Sequence, residues 1–198
     1  MSDLLALRVE LPPWIAGFRA ALPACLETPE QRMEVAIDLS RQNVLAGSGG
    51  PFGALVVAED SGEVVALGVN RVEPGSCSSA HAEIVALSMA QRLAADWNLG
   101  RHPAAPLQLV SSCEPCAMCL GAIPWSGVAS VLCGATKADA EAAGFDEGDR
   151  PDEWMEKMAA RGIRVHIGLM RAEAAAVLDL YARSGKTIYG PDSRVAGK

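Results

Sequence analysis

Apolar residues recur along this chain at spacings that alternate between those of helices and those of strands. The capping signal at Thr28–Gln31 predicts a helix that extends to about Ala46, and a shorter helix is expected around Trp14. Two apolar runs with several valines, 53–58 and 64–69, are separated by a short polar segment, which predicts a β-hairpin. The first third of the chain is therefore interpreted as two helices followed by a hairpin.

The rest of the chain alternates helices with single strands. Further helices are predicted at about 80–97, from Pro115 onward, at 152–160 and at 171–184, and further strands at 107–111, 128–133 and 163–167. The helix before the last strand provides the crossover that two parallel strands need. The pattern predicts an α/β protein, a three-layer α/β/α sandwich with a central five-stranded mixed sheet.

One stretch without charge, 115–136, is long enough to span a bilayer. Pro124, the pair Ser126–Gly127 and Gly134 interrupt it, so a buried helix followed by a buried strand is the better interpretation. The first apolar stretch of the chain lacks a basic flank and is broken by Arg8. No signal peptide and no membrane partner are expected.

Composition bounds the number of domains and the class of partner. The chain has 198 residues, 50% of them hydrophobic, which favours one domain over residues 1–198, with a core at about 30–184 and a C-terminal tail at 185–198. The net charge of −7 argues against a nucleic-acid partner, because phosphate binding usually needs a basic surface. Small molecules are the expected substrates. Six cysteines without a secretory signal favour a reducing cytoplasm over a disulfide framework.

Two short motifs carry the candidate chemistry, an H-x-E sequence that begins at His81 and a P-C-x-x-C sequence that ends at Cys119. His81, Cys116 and Cys119 are good zinc ligands, and three protein ligands leave one tetrahedral position open, as in catalytic sites. Glu83 is a ready proton carrier beside them. Two alternatives stay open: a closed structural site with Cys113 as fourth ligand, and a redox pair formed by the C-x-x-C sequence alone.

The order of these two motifs resembles that of the zinc-dependent nucleobase deaminases. The order of predicted helices and strands is similar to the cytidine-deaminase-like fold over roughly residues 30–185. The resemblance implies a Zn²⁺ cofactor held by His81, Cys116 and Cys119, and a zinc-bound hydroxide that attacks the ring carbon bearing the amine. It also implies that Glu83 carries protons to the ring and to the leaving amine.

The segment 112–125 resembles both the bacterial guanine deaminases and the tRNA adenosine deaminases, and a second segment separates these two groups. Gly144–Glu147 matches an acidic segment of the guanine deaminases that the tRNA deaminases lack. The resemblance implies that Glu147 is a second catalytic carboxylate, that it acts on the edge of guanine, and that guanine is converted to xanthine and ammonia. It further implies a set of substrate-binding residues: Phe52, Asn70, Ala82, Trp125 and Tyr189.

The C-terminal tail also resembles that of guanine deaminases of this type, in which it crosses to the other subunit and caps its active site. Here the segment 185–191, which contains Tyr189, is the candidate lid. The resemblance therefore implies a homodimer with a swapped lid. A frayed, mobile terminus is the alternative that stays open.

Other functions stay open on the sequence. Triazines such as ammeline present an edge like that of guanine and are alternative substrates. A tRNA adenosine deaminase would need a basic groove, and a cytosine or cytidine deaminase would share the zinc ligands without needing Glu147. A non-enzymatic zinc-binding module would not depend on Glu83.

Overall fold

Helices and strands follow the predicted order over residues 7–190, which is the part of the chain that the computed structural model describes. The strands are β1 Gly53–Ala58, β2 Val64–Val69, β3 Leu107–Cys113, β4 Ser130–Ala135 and β5 Arg164–His166. The helices are α1 Trp14–Ala21, α2 Pro29–Leu45, α3 Val72–Gly75, α4 Ala82–Ala94, α5 Ala117–Ser126, α6 Lys137–Ala142, α7 Trp154–Ala159 and α8 Arg171–Arg183. A 3₁₀ turn at Leu99–Arg101 lies between α4 and β3.

The five strands form one sheet in the order β2-β1-β3-β4-β5. β1 runs antiparallel to both β2 and β3, whereas β3, β4 and β5 are parallel to one another. The predicted five-stranded mixed sheet is therefore confirmed, and so is the parallel pairing of its last two strands. Because β2 and β3 both oppose β1, they point the same way and end at the same edge of the sheet.

Helices cover both faces of the sheet, which gives the predicted three layers. Successive side chains of a strand point to opposite faces. Leu55 and Val57 of β1 therefore belong to one buried cluster with residues of α2 and α8, while Ala54 and Val56 belong to a second with residues of α4, α5 and α7. β1 to β4 are buried along their whole length, as expected of strands with helices on both faces.

The structure differs from the sequence prediction mainly at short elements and at boundaries. The helix α6 was not predicted. Thr136 and Asp139 form a capping box at its start, but the usual capping-box sequence has Glu or Gln, rather than Asp, at the third helical position. β4 begins at Ser130, and Val128 packs into the core ahead of it. The uncharged run 115–136 contains α5 and β4, and within residues 7–190 no helix is both long enough and apolar enough to cross a membrane.

Gly68 fixes the distance between β2 and α4. A Cβ atom at this position would lie 2.4 Å from the carbonyl oxygen of Ala82 and 2.5 Å from the amide nitrogen of Ala86. Only glycine lets the two backbones approach so closely. The start of α4, where His81 and Glu83 are found, therefore lies directly against the sheet.

Replacing Gly68 by alanine is expected to destabilise the protein, because the added methyl group must push the α4 backbone away from β2. We expect the free energy of unfolding to fall by about 1–3 kcal/mol. Gly121 provides a matched control, since it lies in α5 with nothing within 4 Å of its Cβ position. Gly121→Ala should leave stability unchanged or raise it by up to about 1 kcal/mol. Equilibrium unfolding in urea measures both, and equal stability of the two variants would contradict the close packing of β2 and α4.

Candidate active site

The N-termini of α4 and α5 meet at one edge of the sheet. His81 is the N-cap residue of α4, and Cys116 is the N-cap residue of α5. Each helix comes after a strand that ends at this edge: α5 follows β3 directly, and α4 follows β2 with the short helix α3 between them. The positive ends of both helix dipoles therefore point to the same place, which favours thiolates and other anions there.

The structure brings the three proposed zinc ligands together. The Nδ1 atom of His81 lies 3.5 Å from Sγ of Cys116 and 3.6 Å from Sγ of Cys119, and all three ligand atoms lie within 4.8 Å of one another. Bonds of about 2.0–2.3 Å in a tetrahedral zinc site imply N···S separations of about 3.6 Å. The donor set and its spacing therefore fit zinc.

Cys113 does not join this group. Its buried thiol, at the end of β3, donates to the carbonyl oxygen of Thr136 at 3.8 Å. Burial raises the pKa of Cys113 well above its ordinary value, whereas a hydrogen bond with Cys119 lowers the pKa of Cys116 to about 4. In the described part of the chain, the cluster that could hold a metal ion contains only His81 and the two cysteines of the C-x-x-C sequence. Such a site keeps the open position of a catalytic centre.

Two buried carboxyl groups lie beside the ligands. The side chains of Glu83, at the start of α4, and Glu147, in the loop between α6 and α7, are each 6% exposed. Burial, together with negative charge on Cys116, raises the pKa of Glu83 to about 7 and that of Glu147 to about 8. Carboxyl groups that titrate near neutrality can both take up and release protons.

A cavity of about 400 Å³ opens beside these groups, a size that suits a small molecule. Its walls combine apolar and ionisable side chains, among them Phe52, Val72, His81, Glu83, Glu114, Cys116, Met118, Phe145, Glu147 and Tyr189. Two of the three ligand residues, His81 and Cys116, and both carboxyl groups are therefore accessible to one bound molecule, whereas Cys119 is fully buried behind them.

Phe145 contacts the other aromatic residues of the cavity wall, although it was not among the predicted site residues. Its ring packs edge-on against Phe52, with centroids 4.9 Å apart, and against Tyr189, with centroids 5.8 Å apart. Its signal was present, since Phe145 lies in the same short segment as Glu147. From sequence alone, a phenylalanine is most simply interpreted as a core residue, and Phe145 is indeed only 5% exposed.

Asn70 lies behind the wall of the cavity rather than on it. Its Oδ1 atom accepts hydrogen bonds from the backbone amides of Val72, at 3.2 Å, and Gly50, at 3.4 Å. Its Nδ2 atom donates to the hydroxyl of Tyr189, which lines the cavity. The two backbone bonds fix the orientation of the amide, so Asn70 presents a donor toward the cavity.

Two other residues expected at the substrate lie outside the cavity. Ala82 is completely buried and packs in the core between α4 and the sheet. Trp125 is 78% exposed and lies in a separate groove with Trp154. The direction of Trp125 follows from helical geometry, because six positions after Cys119 the helix has turned by about 240°.

Comparison with known proteins supplies the family. The model of the cytidine and deoxycytidylate deaminase zinc-binding region matches residues 26–135 of this chain. The chain belongs to this family. The matched region contains the three ligands and Glu83, whereas Glu147 and Tyr189 lie beyond it.

Individual members of the deaminase family extend the similarity. The chain is 40% identical to the guanine deaminase of Bacillus subtilis over 118 residues, 60% of this chain and 71% of that one. A solved structure of guanine deaminase from Nitrosomonas europaea matches with a TM-score of 0.86 at 47% identity, over 92% of this chain and 98% of that one. A further solved protein, in complex with 2,6-diaminopurine, matches with a TM-score of 0.87 at 47% identity, over 96% and 98%. The similarity therefore covers nearly the whole chain.

This deaminase-family protein is expected to bind one zinc ion per chain through three ligands. His81→Ala, Cys116→Ala and Cys119→Ala should each lose the metal, because two remaining ligands hold zinc poorly. Cys113→Ala is the matched control and should keep a full equivalent of zinc. Mass spectrometry of metals after gel filtration measures the content. Loss of zinc from the Cys113 variant, with its fold intact by circular dichroism, would favour the closed four-ligand site.

Proposed function

We propose that this protein is a zinc-dependent guanine deaminase, which hydrolyses guanine to xanthine and ammonia. One observation carries the proposal: a cavity of about 400 Å³ is lined by two buried carboxyl groups, Glu83 and Glu147, and by two members of a His/Cys/Cys ligand set. Similarity to the guanine deaminases of Bacillus subtilis and Nitrosomonas europaea supports the same reaction here. The purine bound to a structural neighbour supports the substrate class.

The residues of the site have two separate roles in the proposed reaction, metal binding and proton transfer. Zinc bound by His81, Cys116 and Cys119 would supply a Lewis acid that lowers the pKa of water. Glu83 can accept a proton and later return it to the leaving amine, because burial keeps its pKa close to neutrality. The bond between C2 of guanine and its amino nitrogen is broken, and water provides the oxygen of xanthine.

Glu147 and Asn70 suit the pattern of donors and acceptors on guanine. Guanine presents its N1–H and amino groups as donors, and O6, N3 and N7 as acceptors. The carboxylate of Glu147 can accept from the donor edge, and the amide NH₂ of Asn70 can donate to an acceptor in place of the Tyr189 hydroxyl. Phe52 and Phe145 add apolar walls for a planar base. A base without this pattern would leave buried polar groups unpaired, which is costly.

Ammonia release by the zinc-loaded protein tests the proposal, with guanine, ammeline, adenine, cytosine and cytidine as the panel. We expect turnover of guanine, and Glu83→Ala should lower kcat by roughly 10²–10⁴-fold, the usual cost of removing a general acid–base group.

Glu147→Gln should lower kcat/KM for guanine by about 10-fold or more, since an amide cannot replace both oxygens of the acceptor. Glu156→Gln, at an exposed position of α7, is the matched control and should behave as the wild type.

The same panel separates the proposal from its alternatives. Turnover of ammeline without guanine would keep the chemistry and change the substrate. Turnover of cytosine or cytidine that survives Glu147→Gln would contradict the assignment of Glu147. A folded, zinc-loaded protein that is inert toward the whole panel but retards tRNA in a gel would favour a tRNA deaminase.

We also propose that the enzyme works in the cytoplasm as a homodimer. All six cysteines are free thiols, which suits a reducing compartment. Trp125 and Met118 of α5, 78% and 39% exposed, leave apolar surface uncovered on the single chain. Such surface is typical of contacts between subunits.

The C-terminal segment 185–190 is the proposed lid of the cavity, and the rest of the tail, 191–198, lies outside the described residues. The hydroxyl of Tyr181 donates to the carbonyl oxygen of Thr187 at 2.6 Å, and the segment ends beside the cavity at Tyr189. In the single chain these contacts form within one subunit. We propose that the dimer exchanges this segment, so that the lid of each site comes from the other subunit.

Mixing two inactive variants tests the exchange of the lid. One variant ends before Gly185 and keeps Glu83, and the other carries Glu83→Ala and keeps its tail. Exchange gives a mixed dimer one complete site, so refolding the two together should restore about a quarter of the wild-type activity. A lid that stays in its own chain restores none. Full activity of the truncated variant alone would contradict any role of the segment as a lid, and sedimentation velocity verifies the dimer.

A further inference from the structure

Arg150 is a buried cation to which the reaction described above gives no role. Its side chain is 9% exposed and lies 2.6 Å from a carboxylate oxygen of Glu114, which is itself 6% exposed. A second nitrogen of the guanidinium donates to the carbonyl oxygen of Pro115 at 3.3 Å. The guanidinium carbon also lies over the ring of Trp154, 5.1 Å from its centroid. Three different contacts therefore fix this side chain.

Arg150 joins the two loops that carry the chemistry. The dipeptide 114–115, which it contacts, immediately precedes Cys116, and Arg150 itself lies three residues after Glu147. A backbone hydrogen bond of 2.9 Å, from the amide of Ala117 to the carbonyl oxygen of Glu147, links the same two loops. The side chain of Arg150 adds a second link, which is charged and shielded from water.

Arg150 also places positive charge beside a cavity rich in carboxyl groups. Glu83, Glu114 and Glu147 all line the cavity. A buried ion pair usually adds little net stability compared with an apolar pair of the same size, but a buried charge left without its partner is costly. A gain in stability therefore explains the Arg150–Glu114 pair poorly. Its position between the two loops that carry Glu147 and Cys116 suggests a functional role instead.

We propose that Arg150 is a positioning residue for deamination: by pairing with Glu114 and bonding to the backbone of Pro115, it fixes Glu147 and Cys116 relative to one another. Its effect on kcat rests on the proposed function, whereas its effect on the metal site does not. Removing a group that orients the metal ligands without binding the metal itself typically lowers metal affinity or activity by about 10- to 100-fold.

Four variants test this role: Arg150→Met, Arg150→Lys, Glu114→Gln and the double variant Glu114→Gln/Arg150→Met. Arg161→Met, at an exposed position after α7, is the matched control. The measurements are zinc affinity in competition with a chromophoric chelator, kcat and KM for guanine, and thermal unfolding of the zinc-loaded protein. Arg150→Met should weaken zinc binding and lower kcat by about 10- to 100-fold, with a smaller change in KM. Arg150→Lys should recover part of this loss, because it keeps the charge but not the planar fork.

The double variant separates positioning from plain structural support. It leaves no unpaired charge, so we expect its thermal stability to recover while its kcat and zinc affinity stay low. Full recovery of both values together with stability would overturn the proposal, as would wild-type values in a folded Arg150→Met protein. If Arg150→Met does not fold, the double variant decides. If wild-type protein does not turn over guanine, the proposed function fails, and the zinc affinities alone decide the role of Arg150.

Discussion

The convergence of two helix N-termini on one edge of the sheet is the constraint on which the site depends. β2 and β3 both run antiparallel to β1, so they end at this edge, and α4 and α5 begin there. His81 and Cys116 are far apart along the chain, yet as N-cap residues their ligand atoms lie 3.5 Å apart. Gly68 lets α4 lie against β2 closely enough for this meeting. The meeting of the proposed metal ligands thus depends on strand direction and on one glycine.

A second constraint arises because many acidic groups share one small cavity. Buried carboxylates and thiolates without compensating charge are costly. The fold reduces this cost by directing two helix dipoles at the site, by pairing Glu114 with Arg150, and by raising the pKa of Glu83 and Glu147 toward neutrality. Because the pKa of Glu83 is about 7 and that of Glu147 about 8, both carboxyl groups hold protons near neutral pH, where the proposed reaction would use them. The energetic cost of burial and the capacity for proton transfer therefore have the same origin.

The sequence predicted those features that rest on local signals. The hairpin, the alternating helices and strands, and the ligand trio beginning at His81 are all visible in short stretches of sequence. The position of Trp125 outside the cavity could not be predicted in this way, because its direction depends on how far α5 turns after Cys119. The contact between Asn70 and Tyr189, 119 residues apart, depends on how the whole chain folds back after α8. No short stretch of sequence contains that information.

The amide of Asn70 shows how such a long-range contact bears on substrate choice. Backbone amides of Gly50 and Val72 occupy its Oδ1 atom, so the NH₂ group is directed toward Tyr189, which lines the cavity. A donor that is already oriented costs little to use, because the ligand does not have to reorganise it. On the proposed function, the acceptor edge of guanine would replace the hydroxyl of Tyr189 at this donor, while Glu147 accepts from the opposite edge. On the proposed function, a fixed donor behind Tyr189 and a carboxylate in the cavity wall would discriminate between bases by hydrogen-bond pattern, which apolar walls alone cannot do.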